Sequence, residues 1–223
     1  MKKHIPNSIT LMNLLSGCIA CTFAFNGEYK IAFLFMLFSL FFDFMDGLVA
    51  RLLKSYSDVG KELDSLADMV SFGFLPSLVM YTMGGTFAYF AFFIAMMSAL
   101  RLAKFNVDTR EHDMFYGLAT PANAVFFVSV GYLTQAYPES ILITSFNIEW
   151  VRMLFIAIFS LLLVSNIPMY SLKLRSIKFK DNIVLYSYII ALIISIIIFR
   201  MWAIPFAIIT YVLLSVITSF FRK

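Results

Sequence analysis

The chain predicts an all-α fold, a polytopic bundle of membrane-spanning helices with no soluble domain, on three observations. Of its 223 residues 61% are hydrophobic and only 13% charged, with a mean hydropathy of +0.89; a water-facing surface of this size does not carry that balance. Turn and charge signals divide it into about eight apolar stretches, each near the roughly 20 residues that cross a bilayer. The alternating pattern of a membrane barrel is absent, which leaves helices as the segments that can satisfy their own backbone in lipid.

The stretches run over 8–26, 29–50, 63–83, 86–105, 118–137, 150–171, 183–199 and 202–221. The first opens with MKKHIPNSITLMNLL, which has no small-residue cleavage site before a polar region and so reads as a helix rather than a signal peptide. Within it Cys18 and Cys21 form a CxxC; lacking a second pair or a nearby His, they read as packing residues, and no disulfide framework is expected. The short link SYSDV makes the second and third helices antiparallel neighbours. The connections FNGEYK, MGG, YPESILITSFNIEW and FRMWA alternate with longer, charged ones at 51–62, 101–117 and 171–182. His4 and His112 lack metal-ligand spacing, and Trp150 and Trp202 sit where an interfacial aromatic belt is expected. The last two stretches are almost uniformly apolar and read as scaffold or as the surface of a homodimer.

Charge orients the bundle. Lys2, Lys3, Arg51, Lys54, Lys61, Arg101, Lys104, Arg110, Lys173, Arg175, Lys178, Lys180, Arg222 and Lys223 fall on one side of this layout, and Lys30, Arg152 and Arg200 on the other. The positive-inside rule makes the first side cytoplasmic, with both termini, in a multi-pass cell-membrane protein. The basic residues serve orientation and lipid headgroups, and no nucleic-acid partner is implied. Without a hydrophilic domain or an internal repeat, 1–223 reads as one membrane domain, with a core at about 5–171 and extra helices at about 183–221.

Against this background the stretch DFMDGLVARLLKSYSDVGKELDSLAD, residues 43–68, is anomalous. Asp43, Asp46 and Gly47 are spaced i, i+3, i+4 and share one face of the second helix with Ala50. Gly60, Asp64 and Asp68 are spaced i, i+4, i+8 on one face of the third. Four carboxylates then converge between two helices at the membrane boundary, and ionisable residues in a span are functional by default. Arg51 and Lys61 are too few to neutralise them. Hard oxygen ligands on facing helices suit Mg²⁺ or Mn²⁺. Gly47, Ala50 and Gly60 let the helices pack closely and admit a ligand near backbone, for which magnesium's affinity for phosphate oxygens suggests a di- or polyphosphate.

DFMDGLVAR, eight residues, then GKELDSLAD has the form DxxDGxxAR…GxxxDxxxD and resembles the signature of the CDP-alcohol phosphatidyltransferases, with every fixed position present. PNSITLMN likewise resembles that family's PNxxTxxN at the start of its first helix. The resemblance implies a helical membrane enzyme that transfers a phosphatidyl group from CDP-diacylglycerol to an alcohol and releases CMP. It implies two divalent cations, Mg²⁺ or Mn²⁺, bridged by Asp43 and Asp64, with Asp46 completing the shell of one and Asp68 that of the other. Asp68 is also the implied general base, and Asn7, Thr10, Gly47, Arg51, Ser57 and Gly60 the implied CDP-lipid contacts. Independently, in-line displacement at phosphorus suits a two-metal site, and a carboxylate one turn deeper than Asp64 is placed to activate a hydroxyl.

The acceptor is read from ALRLAKFNVDTREHDMFYGLATPANA, residues 99–124. It is similar to the RLARFN and GLPxPxA segments of the family's serine-using branch, with Lys104 for Arg and Ala119 for Pro. L-Serine carries a carboxylate and an ammonium, and Arg101 with Asn106, Thr120 and Asn123 supplies a cation and oxygen acceptors for them. A glycerol 3-phosphate acceptor calls for denser positive charge than a loop diluted by Asp108, Glu111 and Asp113. Glycerol 3-phosphate or inositol phosphate as acceptor is the alternative within the family. A divalent-cation transporter is the alternative from another class, although no acidic site continues toward the opposite face.

Overall fold

Between the first two helices, α1 (His4–Phe25) and α2 (Tyr29–Leu52), the chain reverses in three residues. Gly27 takes φ 76°, and the Glu28 and Gly27 amides return to the carbonyls of Phe23 and Ala24, closing the end of α1 as a Schellman turn. The computed structural model describes residues 4–107, 115–169, 190, 192–195 and 197–220. In α1 the buried side is Pro6, Thr10, Asn13, Ser16, Gly17, Ala20 and Ala24, while Ile5, Leu11, Met12 and Leu15 are exposed. Small and polar residues face the protein and large apolar ones face outward, the arrangement of a helix whose outer solvent is lipid. Leu34, Leu37, Phe38, Phe41 and Phe44 give α2 the same outward face.

The third span is one run of 25 residues, Asp58–Thr82, made of α3 (Asp58–Asp68), a π turn (Met69–Phe74) and α4 (Leu75–Thr82). Ser57 caps α3 by accepting the Gly60 amide at 3.1 Å. Pro76 opens α4; its ring and missing N–H disrupt the preceding turn, which widens into the π form. The span crosses α1 closely at Gly17, where an added Cβ would lie 2.2 Å from Ser71 Oγ and 3.0 Å from Ser71 Cα. Gly17→Ala is therefore expected to lower the thermal midpoint in detergent by the equivalent of about 1–3 kcal/mol of overpacking; an unchanged midpoint would mean that the crossing gives way freely.

A 3₁₀ turn (Ala88–Phe92) leads into α5 (Phe93–Val107). Beyond it, β1 (Phe115–Tyr116) pairs antiparallel with β2 (Pro168–Met169), Phe115 opposite Met169 and Tyr116 opposite Pro168. Gly117, at φ 72°, follows β1 with its Cα so near the chain at Leu163 that a Cβ would meet Leu163 O at 2.7 Å. Then come α6 (Thr120–Ala136), α7 (Ile141–Asn147) and α8 (Glu149–Val164). After a 3₁₀ turn at Arg200–Trp202, α9 (Ala203–Phe220) packs on α6 and β2.

The helical membrane architecture is as the sequence predicts, and part of the eight-span layout is seen in the described residues. Among the described residues five helices are long and apolar enough to cross, or six if α7 and α8, bent by 82° at their junction, form one span. The helix expected over 150–171 ends at Val164, and apolar residues assigned to a connection form α7 instead. α6 has 17 residues, the short end of the spanning range, and is largely buried by its neighbours. The expected helices 183–199 and 202–221 are represented by the stretch Leu192–Ser219, with much of the first outside the described residues. Arg152, read as an orienting charge, is buried and donates to the Gly84 carbonyl.

Candidate active site

The polar stripe of α1 runs along the two helices that carry the aspartates. Asn7, Thr10 and Asn13, at i, i+3 and i+6, each meet a different part of them. At the outermost level Gly60 leaves a gap: a Cβ there would be 3.0 Å from Ser57 Oγ and 3.1 Å from Asn7 Oδ1, so Asn7, Ser57 and Gly60 are brought together. One turn on, Thr10 Oγ1 donates to Asp46 Oδ2 at 2.5 Å. A turn deeper, Asn13 Nδ2 donates to Asp68 Oδ1 at 3.3 Å. Asp46 and Asp68 are buried. Neither is ligated by chance: α1 supplies one donor to each.

Asp43 on α2 and Asp64 and Asp68 on α3 each offer one carboxylate oxygen, all within 4.8 Å of one another. Asp46 stands outside that trio. The two cations nearest in sequence do not neutralise the group. Arg51 Nε turns back to the Gly47 carbonyl at 3.0 Å, and Lys61 Nζ donates to the Asn106 carbonyl at 2.7 Å. At such separations, and with an effective dielectric constant near 20, two like charges repel by roughly 3–4 kcal/mol, so the cluster calls for a counter-cation. Three hard oxygens on rigid elements fit a divalent ion. The buried Asn13 Oδ1, which has no hydrogen-bond partner among the described residues, marks the same place as polar on its protein side.

Gly47 and Arg51 lie together on α2, a Cβ at Gly47 falling 3.8 Å from an Arg51 guanidinium nitrogen. The CDP contacts predicted from sequence thus fall into two groups, Asn7 with Ser57 and Gly60, and Gly47 with Arg51, while Thr10 meets Asp46. The four acceptor residues are dispersed by comparison. Arg101 donates to the carbonyls of Tyr116 at 3.2 Å and Leu163 at 3.1 Å, tying α5 to the approach of α6 and the end of α8. Asn106 faces α3 instead, donating to Ser65 Oγ at 2.9 Å and Glu62 Oε2 at 3.3 Å. Thr120 and Asn123 are buried at the start of α6, and neither polar atom of the Asn123 side chain has a partner among the described residues. No hydrogen bond among the described residues joins the four. Sequence reading passed over Asn13 as a site residue, although an amide in register with Asn7 and Thr10 on an apolar helix is a usable signal.

Fold and site together define an integral membrane protein of helices built around a carboxylate cluster with the geometry to hold a metal ion. The chain belongs to the CDP-alcohol phosphatidyltransferase family, whose profile matches residues 3–213, and it is a transferase of that family. It is 34% identical over 189 residues to a CDP-diacylglycerol–serine O-phosphatidyltransferase of Helicobacter pylori (strain ATCC 700392 / 26695), covering 81% of this chain and 76% of that protein. It is 36% identical over 126 residues to the protein of that description from Bacillus subtilis (strain 168), 53% of this chain and 70% of the relative. An archaetidylserine synthase of Methanothermobacter thermautotrophicus is 34% identical over 141 residues, 60% of each chain.

Proposed function

We propose that the protein transfers the phosphatidyl group of CDP-diacylglycerol to the hydroxyl of L-serine, giving phosphatidylserine and CMP, in a reaction that depends on divalent metal. The observation that carries this reading is the unneutralised trio of Asp43, Asp64 and Asp68. The names of the bacterial relatives, and of the archaeal one with its different lipid, support serine as acceptor.

In the reaction the serine oxygen forms a bond to the β-phosphorus of the CDP-lipid while the bond from that phosphorus to the CMP oxygen breaks. CMP leaves, and the hydroxyl proton passes to Asp68. Asp43 and Asp64, with Asp46 and Asp68, would hold the cations, and Thr10 fixes the Asp46 carboxylate. When bound, the cations neutralise the pyrophosphate and stabilise the oxygens on either side of the reacting phosphorus. Asn7, Ser57 and the gap at Gly60 accommodate the nucleotide, together with Gly47 and Arg51. The buried, open amide of Asn123, beside Thr120, is the acceptor-side group that a zwitterion satisfies. The distribution of basic residues supports a site and termini on the cytoplasmic side.

The test is CMP release from CDP-diacylglycerol in detergent, with serine, glycerol 3-phosphate, inositol phosphate and ethanolamine offered in turn. Release is expected with serine and Mg²⁺ or Mn²⁺, none in excess EDTA, and little with Ca²⁺, whose larger and looser shell does not hold a compact geometry. Full turnover in EDTA would rule out the metal site, and preference for another acceptor would replace serine.

Arg101 tests the acceptor side. It holds the segment leading to Thr120 and Asn123, so Arg101→Ala is expected to raise the serine KM by about tenfold or more, the scale of a lost charge-assisted contact, with CDP affinity changed far less. An unchanged serine KM would separate Arg101 from acceptor binding.

A further inference from the structure

Asn13 forms bonds to three elements from one residue. Its side-chain amide donates to Asp68 Oδ1. Its backbone carbonyl accepts from Ser39 Oγ of α2 at 3.1 Å and from Ser71 Oγ of the π turn at 3.2 Å. Ser39, Ser71 and Asn13 are all fully buried. Ser39 lies one turn before Asp43 on α2, and Ser71 one turn after Asp68 on the third span, so both serines sit one turn deeper than the aspartate they accompany. A single carbonyl of α1 thereby ties together the two helices that carry the carboxylate trio.

The side chain itself is costly to keep. A buried acceptor without a partner, here Asn13 Oδ1, is worth about 1–3 kcal/mol against the fold. Leucine, with the same branched arrangement of four side-chain heavy atoms and no polar group, would avoid that, so filling space alone does not account for the amide. What the amide does that leucine cannot is donate to Asp68.

We propose that Asn13 is a positioning residue: its amide orients the Asp68 carboxylate toward the reacting groups, while its carbonyl sets the depth of α2 and the third span against each other. The inference rests on the function proposed above for Asp68. With Oδ1 held by the amide, the carboxylate is kept from rotating and presents its other oxygen to the site.

The full-length protein in detergent tests this through a double-mutant cycle of wild type, Asn13→Leu, Asp68→Asn and the pair. Leucine leaves the backbone carbonyl in place and so isolates the amide. Asn13→Leu is expected to keep or raise the thermal midpoint, to leave CDP affinity at saturating Mn²⁺ within about threefold, and to lower kcat about 10- to 100-fold, the range for groups that orient a metal-site ligand. Mn²⁺ affinity, read by electron paramagnetic resonance of the free ion, is expected to weaken about tenfold on the same ground. In the Asp68→Asn background kcat should not fall further, the base being gone, and Mn²⁺ affinity should fall less than it does in wild type, because Asn13 then orients a neutral amide. Unchanged kcat and Mn²⁺ affinity, losses that multiply in full in the pair, or a collapse of midpoint and CDP binding together would each overturn the proposal. If Asn13→Leu does not fold, Asn13→Ala enters the cycle under the same criteria. A wild type that releases no CMP with any acceptor means failure of the functional reading instead, and the Mn²⁺ arm then decides the coupling alone.

Discussion

Asp43→Asn and Asp64→Asn are each expected to abolish CDP binding together with turnover. The two residues face each other from α2 and α3, and with Asp68 their oxygens lie within 4.8 Å. An amide in place of either carboxylate removes a full negative charge and one anionic oxygen from the cluster proposed to hold the cations. The loss of metal affinity should exceed the 10- to 100-fold typical of residues that merely orient a ligand. Stability should move the opposite way. In excess EDTA the wild type retains three mutually repelling carboxylates, so each variant is expected to melt higher than wild type there. Wild type should in turn gain more from added Mn²⁺ by linkage. Calorimetry for CDP and melting curves with and without Mn²⁺ read both effects. Near-normal CDP affinity in either variant would remove that residue from the metal site.

Asp68→Asn should separate binding from chemistry. The amide keeps the side chain's shape and one oxygen but has no capacity to take the serine proton. Metal and CDP-lipid are expected to bind within roughly an order of magnitude of wild type, while kcat falls by about 10²–10⁴-fold, the contribution of a positioned general base. Asn13 remains able to donate to the oxygen of the new amide, so the fold around it is retained. CDP affinity and turnover measured side by side with the Asp43 and Asp64 variants give the contrast. Loss of CDP binding as severe as theirs would make Asp68 chiefly a ligand, and near-normal turnover would assign proton removal to another group.

Sequence alone determined what depends on local periodicity and composition. The aspartates and glycines of residues 43–68 occur at helical spacings, so their shared faces followed once the segments were taken as helices, and the short link between them made those helices neighbours. The membrane setting followed from hydropathy. That same measure does not tell a lipid-facing run, as in α2, from one enclosed by protein, as in α6, because both read alike as apolar. It also gave no sign that the chain turns by 82° between α7 and α8.

Only the tertiary structure decided which polar groups meet across long stretches of chain. Asn13 reaches Asp68 over 55 residues, and Arg101 is committed to the carbonyls of Tyr116 and Leu163, 15 and 62 residues away. Arg51 and Lys61 turn to backbone carbonyls and not to the aspartates. The reason is physical: in an apolar surrounding a donor left without an acceptor is costly, and which acceptor lies in reach is settled by how the helices pack, not by the residues on either side.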